Sequence, residues 1–365
     1  MVADKTKILF LINSLKIGGA ERVFVKDANT FRERGREVFF AVLFGSEKNQ
    51  PLLPQLTLER NRFFCCEARA FYDLCGLRRL TIFIRKNKIN TVYSTLDEGN
   101  LVARLLKLFL PKLTITIREA NVADKKPLKF KIADLCLNFF ANKVIAVSEE
   151  VLESLIRYEP WYKGKMILLK NGVDIPDVKK RYENINFPLK LLNIGNLNLK
   201  KGQRFLIEAC KMIKDRMPES FHLTIVGSGS EAINLKKMIN DLGLDDVVTI
   251  VLPVSPRELS NYYLDADIFI LSSLWEGSPN VLLEAMAHGV ASLSTRVGGS
   301  NNIIEDGISG KLVLSGDGRA LADGIFDMIE HRDMLASLGK EGRKRVMNQY
   351  SFNHHIKMLE SILYG

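Results

Sequence analysis

Short apolar segments alternate with longer amphipathic segments along most of the chain. Segments such as KILFLIN and FHLTIV are almost uniformly apolar, as expected of parallel strands covered on both faces. Between them, apolar residues recur every three to four positions, as expected of amphipathic helices. Predicted strands cover residues 7–13, 36–44, 91–95, 113–118, 143–147, 166–169, 189–194, 221–226, 247–252, 265–273, 291–294 and 310–314. Predicted helices begin near residues 20 and 279 and cover residues 74–87, 98–109, 130–141, 149–156, 203–216, 231–242, 255–263 and 319–347.

The alternation of strand and helix predicts an α/β fold with parallel sheets. It is interrupted once, at residues 175–188 (IPDVKKRYENINFP), which are polar, contain two prolines and have no apolar period. We therefore predict two domains, residues 1–180 and 181–348, and a C-terminal helix, residues 349–365, that packs back towards the first domain. Ligands of open α/β sheets bind at the carboxyl ends of the strands. A ligand is therefore expected in a cleft between the two domains.

The stretch SSLWEGSPNVLLEAMAHG, residues 272–289, contains the most specific candidate chemistry. It follows a predicted strand and leads into a helix, for which Ser278 is a suitable N-cap and Pro279 a suitable first residue. Amides of residues 278–281 would then face a phosphate group. Glu276 and Glu284 could each accept hydrogen bonds from the hydroxyl groups of a polyol. Two polyols that flank a phosphate group fit a nucleotide sugar. A loop charge and a solvated helix residue are the alternative interpretation of the two glutamates.

Two further loops are candidates for holding phosphate. Lys201 follows the first strand of the second domain, where an ammonium group would stabilise a leaving diphosphate. Lys200 is the competing candidate, and an exposed lysine at a helix entry is the alternative. Gly18 and Gly19 let the backbone approach a ligand before the first helix, unless they form a tight turn without one.

Composition adds a charge asymmetry. The apolar fraction of 47% is ordinary for a soluble globular chain, and the five cysteines show no zinc-type spacing, so reduced thiols in a cytoplasmic protein are expected. Residues 1–185 contain 33 basic and 21 acidic side chains, whereas residues 186–365 contain 19 and 21. Residues 104–131 contain eight basic side chains and two acidic ones. Such a segment favours contact with anionic lipid, although solvated lysines on helices are the alternative, and no nucleic-acid motif accompanies it.

Several motifs, in order along the chain, resemble those of one enzyme family. EGSPNVLLEAMAHG (residues 276–289) resembles the glutamate, seven residues, glutamate motif of retaining GT-B glycosyltransferases, in particular the GT4 family. GNLNLKKG (residues 195–202) is similar to the family's GRLxxxKG, with Asn196 in place of the usual arginine. Weaker similarity is seen at SLKIGGAER, LLKNGVD, LTIVGSGSE and STRVGGSNNIIEDGISGKLV.

The resemblance implies a GT-B fold, in which two Rossmann-like parallel-sheet domains face each other across a cleft. It implies catalytic roles for Lys201 and Glu276, with Glu276 at the donor sugar, Glu284 at the ribose and Lys201 at the diphosphate. No metal or other cofactor is expected, and the substrate would be a UDP- or GDP-linked sugar. The full predicted donor set is Gly18, Gly19, Gly195, Asn196, Lys201, Gly227, Pro253, Val254, Glu276, Gly277, Ser278, Pro279, Asn280, Val281 and Glu284. The predicted acceptor set is Arg118, Glu119 and Asn121.

The resemblance implies a retaining glycosyltransferase of the hexosyltransferase type. It would transfer a sugar to a saccharide or lipid-linked saccharide acceptor in cell-surface polysaccharide, lipopolysaccharide or glycan assembly, in the cytoplasm or peripherally at the inner face of the cytoplasmic membrane. Asn196 and Ala120, where many members have arginine and histidine, leave open a catalytically inactive homologue that acts as a binding or regulatory partner. A dinucleotide-dependent oxidoreductase is disfavoured because GSGSEA lacks the last glycine of GxGxxG.

Overall fold

The protein is described by a computed structural model that covers residues 6–16, 18–180, 182 and 185–365, with only the backbone of Lys125 and Pro256. Two compact units are present. The first contains the chain up to Asn171 together with His355–Gly365, and the second contains Gly172–His354. The chain therefore passes between units at residue 171, earlier than the predicted residue 180, and its last eleven residues belong to the first unit. Arg181, Glu183 and Asn184 of the predicted linker lie outside the described residues.

The first unit is a parallel sheet with helices. Its strands are β1 Lys7–Ile12, β2 Glu37–Val42, β3 Phe63–Cys65, β4 Thr91–Thr95, β5 Thr114–Glu119, β6 Lys143–Ala146 and β7 Met166–Leu168. Its helices are α1 Gly19–Glu33, α2 Leu74–Lys86, α3 Asp97–Phe109, α4 Leu128–Leu137 and α5 Glu149–Tyr158. The strand order β3-β2-β1-β4-β5-β6-β7 reverses direction at β1, as in Rossmann-like folds.

The second unit repeats this plan. Its strands are β8 Leu189–Ile194, β9 Phe221–Val226, β10 Val248–Val251, β11 Ile268–Leu271, β12 Ala291–Thr295 and β13 Lys311–Val313, in the order β10-β9-β8-β11-β12-β13. Its helices are α6 Gln203–Arg216, α7 Ala232–Asp241, α8 Pro256–Asp265, α9 Asn280–Ala287, α10 Ser300–Ile303, α11 Gly318–Glu330 and α12 Leu335–Gln349. A last helix, α13 Phe352–Tyr364, ends in the first unit.

Both faces of the second sheet are buried, which explains its apolar strands. Leu189 and Leu191 of β8 pack in one hydrophobic cluster, whereas Leu192 and Ile194 pack in a second cluster on the opposite face. Successive side chains of a strand point to opposite faces, so apolar residues are favoured on both faces here, and the buried Asn193 of β8 donates to the carbonyl of Ile270 at 2.8 Å. The predicted α/β class and the two parallel sheets are confirmed.

Several predicted element boundaries are wrong. β3 was not predicted, because three residues pairing with the end of β2 leave no periodic pattern. The strand predicted at residues 265–273 is only Ile268–Leu271, since Asp265 ends α8. The helix predicted at residues 130–141 runs from Leu128 to Leu137, followed by a 3-10 turn. Within the described ranges, no helix is both long and apolar enough to cross a membrane.

Candidate active site

The candidate site of the second unit lies where the order of its strands reverses. The loop after β8 and the loop after β11 follow neighbouring parallel strands, so both leave the sheet at the same edge. Backbone and side-chain bonds join them: the amide of Leu274 donates to the carbonyl of Lys200 at 2.7 Å, and the Ser272 hydroxyl donates to the carbonyl of Lys201 at 2.9 Å. The strand order therefore brings together residues that are about 75 positions apart in the sequence.

Two glycines allow the loops at this edge to approach so closely. Gly202 has φ +62°, and a Cβ at this position would lie 2.2 Å from the carbonyl oxygen of Ser272. A Cβ at Gly227, in the loop after β9, would lie 1.9 Å from the carbonyl oxygen of Gly195. Because no side-chain carbon fits at either position, only glycine supports this arrangement.

Two ammonium groups and one carboxylate meet between these loops. Lys201 Nζ lies 2.5 Å from Glu276 Oε1, and Lys200 Nζ lies 3.4 Å from Glu276 Oε2. The Ser273 hydroxyl donates to Glu276 Oε1 at 2.8 Å. Burial alone would raise the pKa of Glu276, but the charges of Lys201 and Lys200 outweigh it and hold this pKa below its usual value. The group therefore has a net positive charge, which suits it to a phosphorylated ligand.

The helix that follows begins one residue later than predicted. α9 starts at Asn280, with Pro279 at the cap position, and no side chain caps it, so the prediction that Ser278 is the N-cap is wrong. Ser278 instead packs close to Gly299: a Cβ at Gly299 would lie only 3.3 Å from Ser278 Cα and 2.9 Å from the carbonyl oxygen of Gly277. The 278–281 segment keeps its place at the start of α9. Pro279 contributes no N–H group to it.

Glu284 lies one turn into α9 and has a partner that sequence reasoning missed. The Tyr263 hydroxyl of α8 donates to Glu284 Oε2 at 2.8 Å, a contact that the spacing of the two residues does not reveal. The Tyr263 ring stacks on the His288 ring at 4.8 Å between centroids. His288 Nε2 lies 2.8 Å from the Ser260 hydroxyl, and burial lowers the pKa of His288. His288 is thus part of the packing between α8 and α9.

The remaining predicted donor residues of this unit lie in the loops at the ends of β8, β9 and β10. Gly195 and Asn196 follow β8, Gly227 follows β9, and Pro253 and Val254 follow β10. The Asn196 side chain is exposed. Pro253 is exposed, whereas Val254 is half-buried against the cluster beneath α8 and α9. All these residues therefore lie at one edge of the sheet.

In the first unit, Gly18 and Gly19 lie between β1 and α1, again where the strand order reverses. Gly18 is the N-cap of α1, and the helix begins at Gly19, one residue before the predicted start. A Cβ at Gly18 would lie 2.3 Å from Glu21 Oε2. Burial raises the pKa of Glu21, against the opposing charges of Arg118 and Lys16.

The three predicted acceptor residues differ in exposure. Arg118 is buried. Its guanidinium group donates to the side-chain oxygen Oδ1 of Asn171 at 2.7 Å and to the Thr95 hydroxyl at 3.2 Å. Glu119 is buried and lies 2.6 Å from Lys126 Nζ. Asn121 alone of the three is exposed. Their role at the acceptor stays a prediction.

The basic segment 104–131 is not a continuous surface, contrary to expectation. Arg104, Arg118 and Lys126 are 1%, 1% and 6% exposed. Lys126 Nζ lies 2.7 Å from Asp134 Oδ2, and Arg104 Nη2 lies 2.7 Å from Asp134 Oδ1. From the composition alone, these charges would be expected at the surface. In the fold, buried carboxylates neutralise Arg104 and Lys126.

Comparison with known proteins points to one family. A family model described as Glycosyl transferases group 1 matches residues 174–345. The amylovoran biosynthesis glycosyltransferase AmsK of Erwinia amylovora is 34% identical over 183 residues, which are 48% of this chain and 44% of that protein. The capsular polysaccharide biosynthesis glycosyltransferase CapM of Staphylococcus aureus is 27% identical over 316 residues, which are 80% of this chain and 81% of that protein. The chain spans half or less of the length of the first curated relatives it matches.

Solved structures show the same fold over the whole chain. Anabaena Alr3699/HepE in complex with UDP superposes with a TM-score of 0.83 at 20% identity, over 98% of this chain and 99% of that one. This likeness extends the comparison to the first unit, where the family model does not reach. The chain has the GT-B fold, and its residues 174–345 match the model of the glycosyl transferases group 1 family.

Proposed function

We propose that this chain is a retaining glycosyltransferase that transfers a sugar from a nucleotide diphosphate sugar to a saccharide or lipid-linked saccharide. The observation that carries the proposal is the group formed by Lys200, Lys201 and Glu276 where the second sheet reverses its strand order. The match of residues 174–345 to the family model and the relatives named for polysaccharide biosynthesis support it.

In the proposed reaction, the lysines act on charge rather than on protons. The bond between the sugar and the diphosphate breaks, and negative charge accumulates on the leaving phosphate. Ammonium groups already fixed at this edge stabilise that charge without reorganising. The carboxylate of Glu276 stays ionised, because its pKa is held low, and accepts hydrogen bonds from the hydroxyl groups of the donor sugar. The acceptor oxygen bonds to the anomeric carbon on the face from which the diphosphate leaves, and the departing phosphate takes the proton of the acceptor hydroxyl. Because the acceptor oxygen itself attacks, no protein nucleophile is assigned.

The start of α9 and Glu284 would hold the nucleotide. Backbone amides at the helix start suit a phosphate group, and the Glu284 carboxylate, oriented by Tyr263, suits the two hydroxyls of a ribose. The base would lie near Pro253 and Val254. We place UDP first among the nucleotides because the similar HepE structure contains UDP, with GDP as the second choice. The proposal requires no metal.

The acceptor is assigned by class only. AmsK and CapM are named for the biosynthesis of amylovoran and capsular polysaccharide, which favours a growing cell-surface polysaccharide or lipopolysaccharide. Such an acceptor is often lipid-linked, so we propose that the enzyme works at the inner face of the cytoplasmic membrane, through its first unit.

A thermal-shift screen of the purified protein against UDP, GDP, ADP, CMP and NAD tests the donor site. A ligand that binds only the folded state raises Tm with its concentration and affinity. We expect one nucleoside diphosphate, UDP first, to raise Tm, and Glu284→Ala to abolish the shift. Glu341→Ala is the matched control, because Glu341 lies on α12 and pairs with Lys344 outside the candidate site.

The outcomes separate the possible functions. A shift with NAD alone would contradict the transferase proposal. Nucleotide binding without any release of nucleoside diphosphate from the matching nucleotide sugar, even on long incubation, would indicate an inactive homologue. Where a product forms, NMR of its anomeric proton tests retention, and an inverted configuration would contradict the proposed mechanism.

A further inference from the structure

Helix α4 of the first unit presents apolar side chains to solvent and buries polar ones. Leu128 and Ile132, four residues apart on one face, are 71% and 53% exposed. The buried side of the helix carries the charged Asp134 beside Phe130, 4% and 5% exposed, and Asn138, just beyond its end, is 2% exposed. An amphipathic helix on a soluble protein normally shows the reverse arrangement. A single apolar residue on a surface is ordinary, but a row of them along one helix requires an explanation.

The buried side of α4 is fixed by charge, so the helix cannot turn its apolar face inward. Asp134 accepts from Arg104 and Lys126, both at 2.7 Å. Asn138 donates to the carboxylate of Glu159 at 2.5 Å. Rotating the helix would leave these buried charges without partners, at a large cost. The exposed row is therefore a stable property of the fold.

Aromatic side chains extend this row at both ends. At the start of α4, Lys129 Nζ lies 5.8 Å from the Phe71 ring, and Phe71 contacts Tyr72, which is 71% exposed. Beyond the end of α4, Phe139 is 69% exposed. There Lys165 Nζ donates to the Phe139 carbonyl at 3.0 Å and lies 5.4 Å from the ring of Tyr162, next to Trp161, which is 65% exposed. We call this set the α4 surface: Tyr72, Leu128, Ile132, Phe139 and Trp161 with Lys129, Lys131, Lys163 and Lys165.

The charge of the α4 surface selects its partner. Lys129 and Lys163 are exposed, whereas Lys131 Nζ donates to the carbonyl of Asp124 at 3.0 Å and Lys165 Nζ to that of Phe139. The stems of lysine side chains follow apolar surface while their ammonium groups reach towards water. The nearest acid outside the buried network, Asp124, pairs with Arg157 at 3.6 Å. Exposed leucine and isoleucine, flanked by tryptophan, tyrosine and lysine, match the boundary between acyl chains and anionic headgroups.

We propose that the α4 surface binds an anionic lipid bilayer, with Leu128 and Ile132 entering the boundary of the acyl chains and the lysines contacting lipid phosphates. This inference gives a definite surface to the membrane contact in the proposed function, on which it rests only for the placement of the acceptor. It also narrows the contribution of the basic segment 104–131 to its end at α4, since Arg104, Arg118 and Lys126 of that segment are buried.

The test is cosedimentation of the purified chain with vesicles, without any nucleotide sugar. One set of vesicles is phosphatidylcholine alone, and the other contains phosphatidylglycerol. We expect binding to the anionic set only, weakened by salt. Ile132→Glu and the double variant Lys129→Gln/Lys131→Gln should each reduce the affinity roughly 10- to 30-fold, since each lysine near an anionic surface contributes a factor of about five.

Helix α7 offers matched controls on the same chain. Ile233 is 82% exposed there, and Lys236 and Lys237 are exposed as well. Ile233→Glu and Lys236→Gln/Lys237→Gln change the same residue types and the same net charge, and should leave vesicle binding unchanged. The UDP thermal shift, which reports only the donor site, should be unchanged in every variant, so loss of lipid binding and failure of the donor site are distinguishable.

Three outcomes would overturn the proposal. The chain could stay in the supernatant with anionic vesicles, or the α7 variants could reduce binding as much as the α4 variants. Alternatively, Ile132→Glu could convert a dimer into a monomer in light scattering without changing lipid binding, which would assign the α4 surface to a second copy of the chain.

Discussion

Lys201 and Glu276 form the shortest charged contact of the candidate site, at 2.5 Å. If the ammonium group stabilises the leaving diphosphate, Lys201→Ala should reduce kcat more than it changes donor affinity. A charge-assisted contact of about 1.5–3 kcal/mol corresponds to roughly a 10- to 150-fold loss of kcat. Steady-state kinetics with separate kcat and KM values measure this. Lys211→Ala, which removes a lysine that pairs with Asp215 on α6, is the control. Unchanged kinetics for Lys201→Ala would remove Lys201 from the site.

Lys200 adds a second positive charge to the loop after β8, in which Asn196 stands where the family usually has arginine. One lysine suffices to neutralise Glu276, so the charge of Lys200, 3.4 Å from Glu276 Oε2, remains for a phosphate. Lys200→Ala should then lower kcat/KM about fivefold, as expected of a partly exposed charge.

Asn196→Arg should restore the activity of Lys200→Ala, because both positions lie on the loop after β8 and the Asn196 side chain is exposed. We expect the double variant to recover kcat/KM to within about twofold of the original chain, since a charge on this loop is replaced by another. Asn198→Arg in the Lys200→Ala background is an unsuitable control, because Asn198 caps the turn before α6. Lys200→Ala combined with Met212→Arg keeps the net charge but moves the positive charge to α6, where Met212 is 42% exposed. Equal recovery there would show that only net charge matters.

At the scale of elements, local pattern predicts the interior of the sheets well and their connections less well. β4, β8, β9 and α6 have the predicted bounds, because each is a continuous apolar run or a regular helical period. The resemblance to the family motifs allows Lys201 and Glu276 to be predicted as site residues. Their contact depends on parallel pairing of β8 with β11, which the sequence does not show directly. Tyr263 at Glu284 depends on packing between helices, and no periodicity indicates it.

Helix α4 shows why the buried face of an element could not always be predicted from the sequence. Its apolar residues predict a buried face, but the partners of its polar residues decide its orientation. Asp134 is paired with Arg104, 30 residues away, and with Lys126. Such pairs depend on the tertiary fold. Neither helix propensity nor the spacing of apolar residues along the chain indicates them.

Asp134→Ala should therefore be strongly destabilising, because it leaves Arg104 buried without its carboxylate and Lys126 with Glu119 as its remaining close carboxylate. We expect the free energy of unfolding to fall by about 3–5 kcal/mol, measured by urea denaturation. Asp215→Ala, which breaks the exposed pair with Lys211 on α6, should cost less than about 1 kcal/mol. Comparable losses for the two variants would contradict the buried network.

At the scale of the whole molecule, the excess of basic residues in the first half does not translate into an equally basic surface. Of the eight basic residues in the 104–131 segment, Arg104, Arg118 and Lys126 are buried. Of the other basic residues in this segment, Lys129 and Lys131 belong to the α4 surface. Net charge is thus a guide to possible partners, whereas burial decides which residues meet them.

The first unit is completed by the last residues of the chain. His355 is 2% exposed, its Nδ1 lies 2.8 Å from the carbonyl oxygen of Lys170, and its Nε2 lies 3.2 Å from Asp27 Oδ1, on a side chain that is 0% exposed. A carbonyl oxygen only accepts, so Nδ1 donates to it. Nε2 faces the Asp27 carboxyl group, and the contact joins segments 328 residues apart.

Removing this imidazole would leave Asp27 buried beside an apolar gap. His355→Ala should lower the free energy of unfolding by about 3 kcal/mol, since truncating one partner of a buried pair leaves the other without compensation. His354→Ala is the matched control, because the neighbouring side chain is exposed. Hydrogen–deuterium exchange locates the effect: amides of β1 and α1 in the first unit should exchange faster, and those of β8 in the second should not. Equal acceleration in both units would contradict the assignment of residues 355–365 to the first unit alone, and no acceleration would show that the pair contributes nothing to its stability.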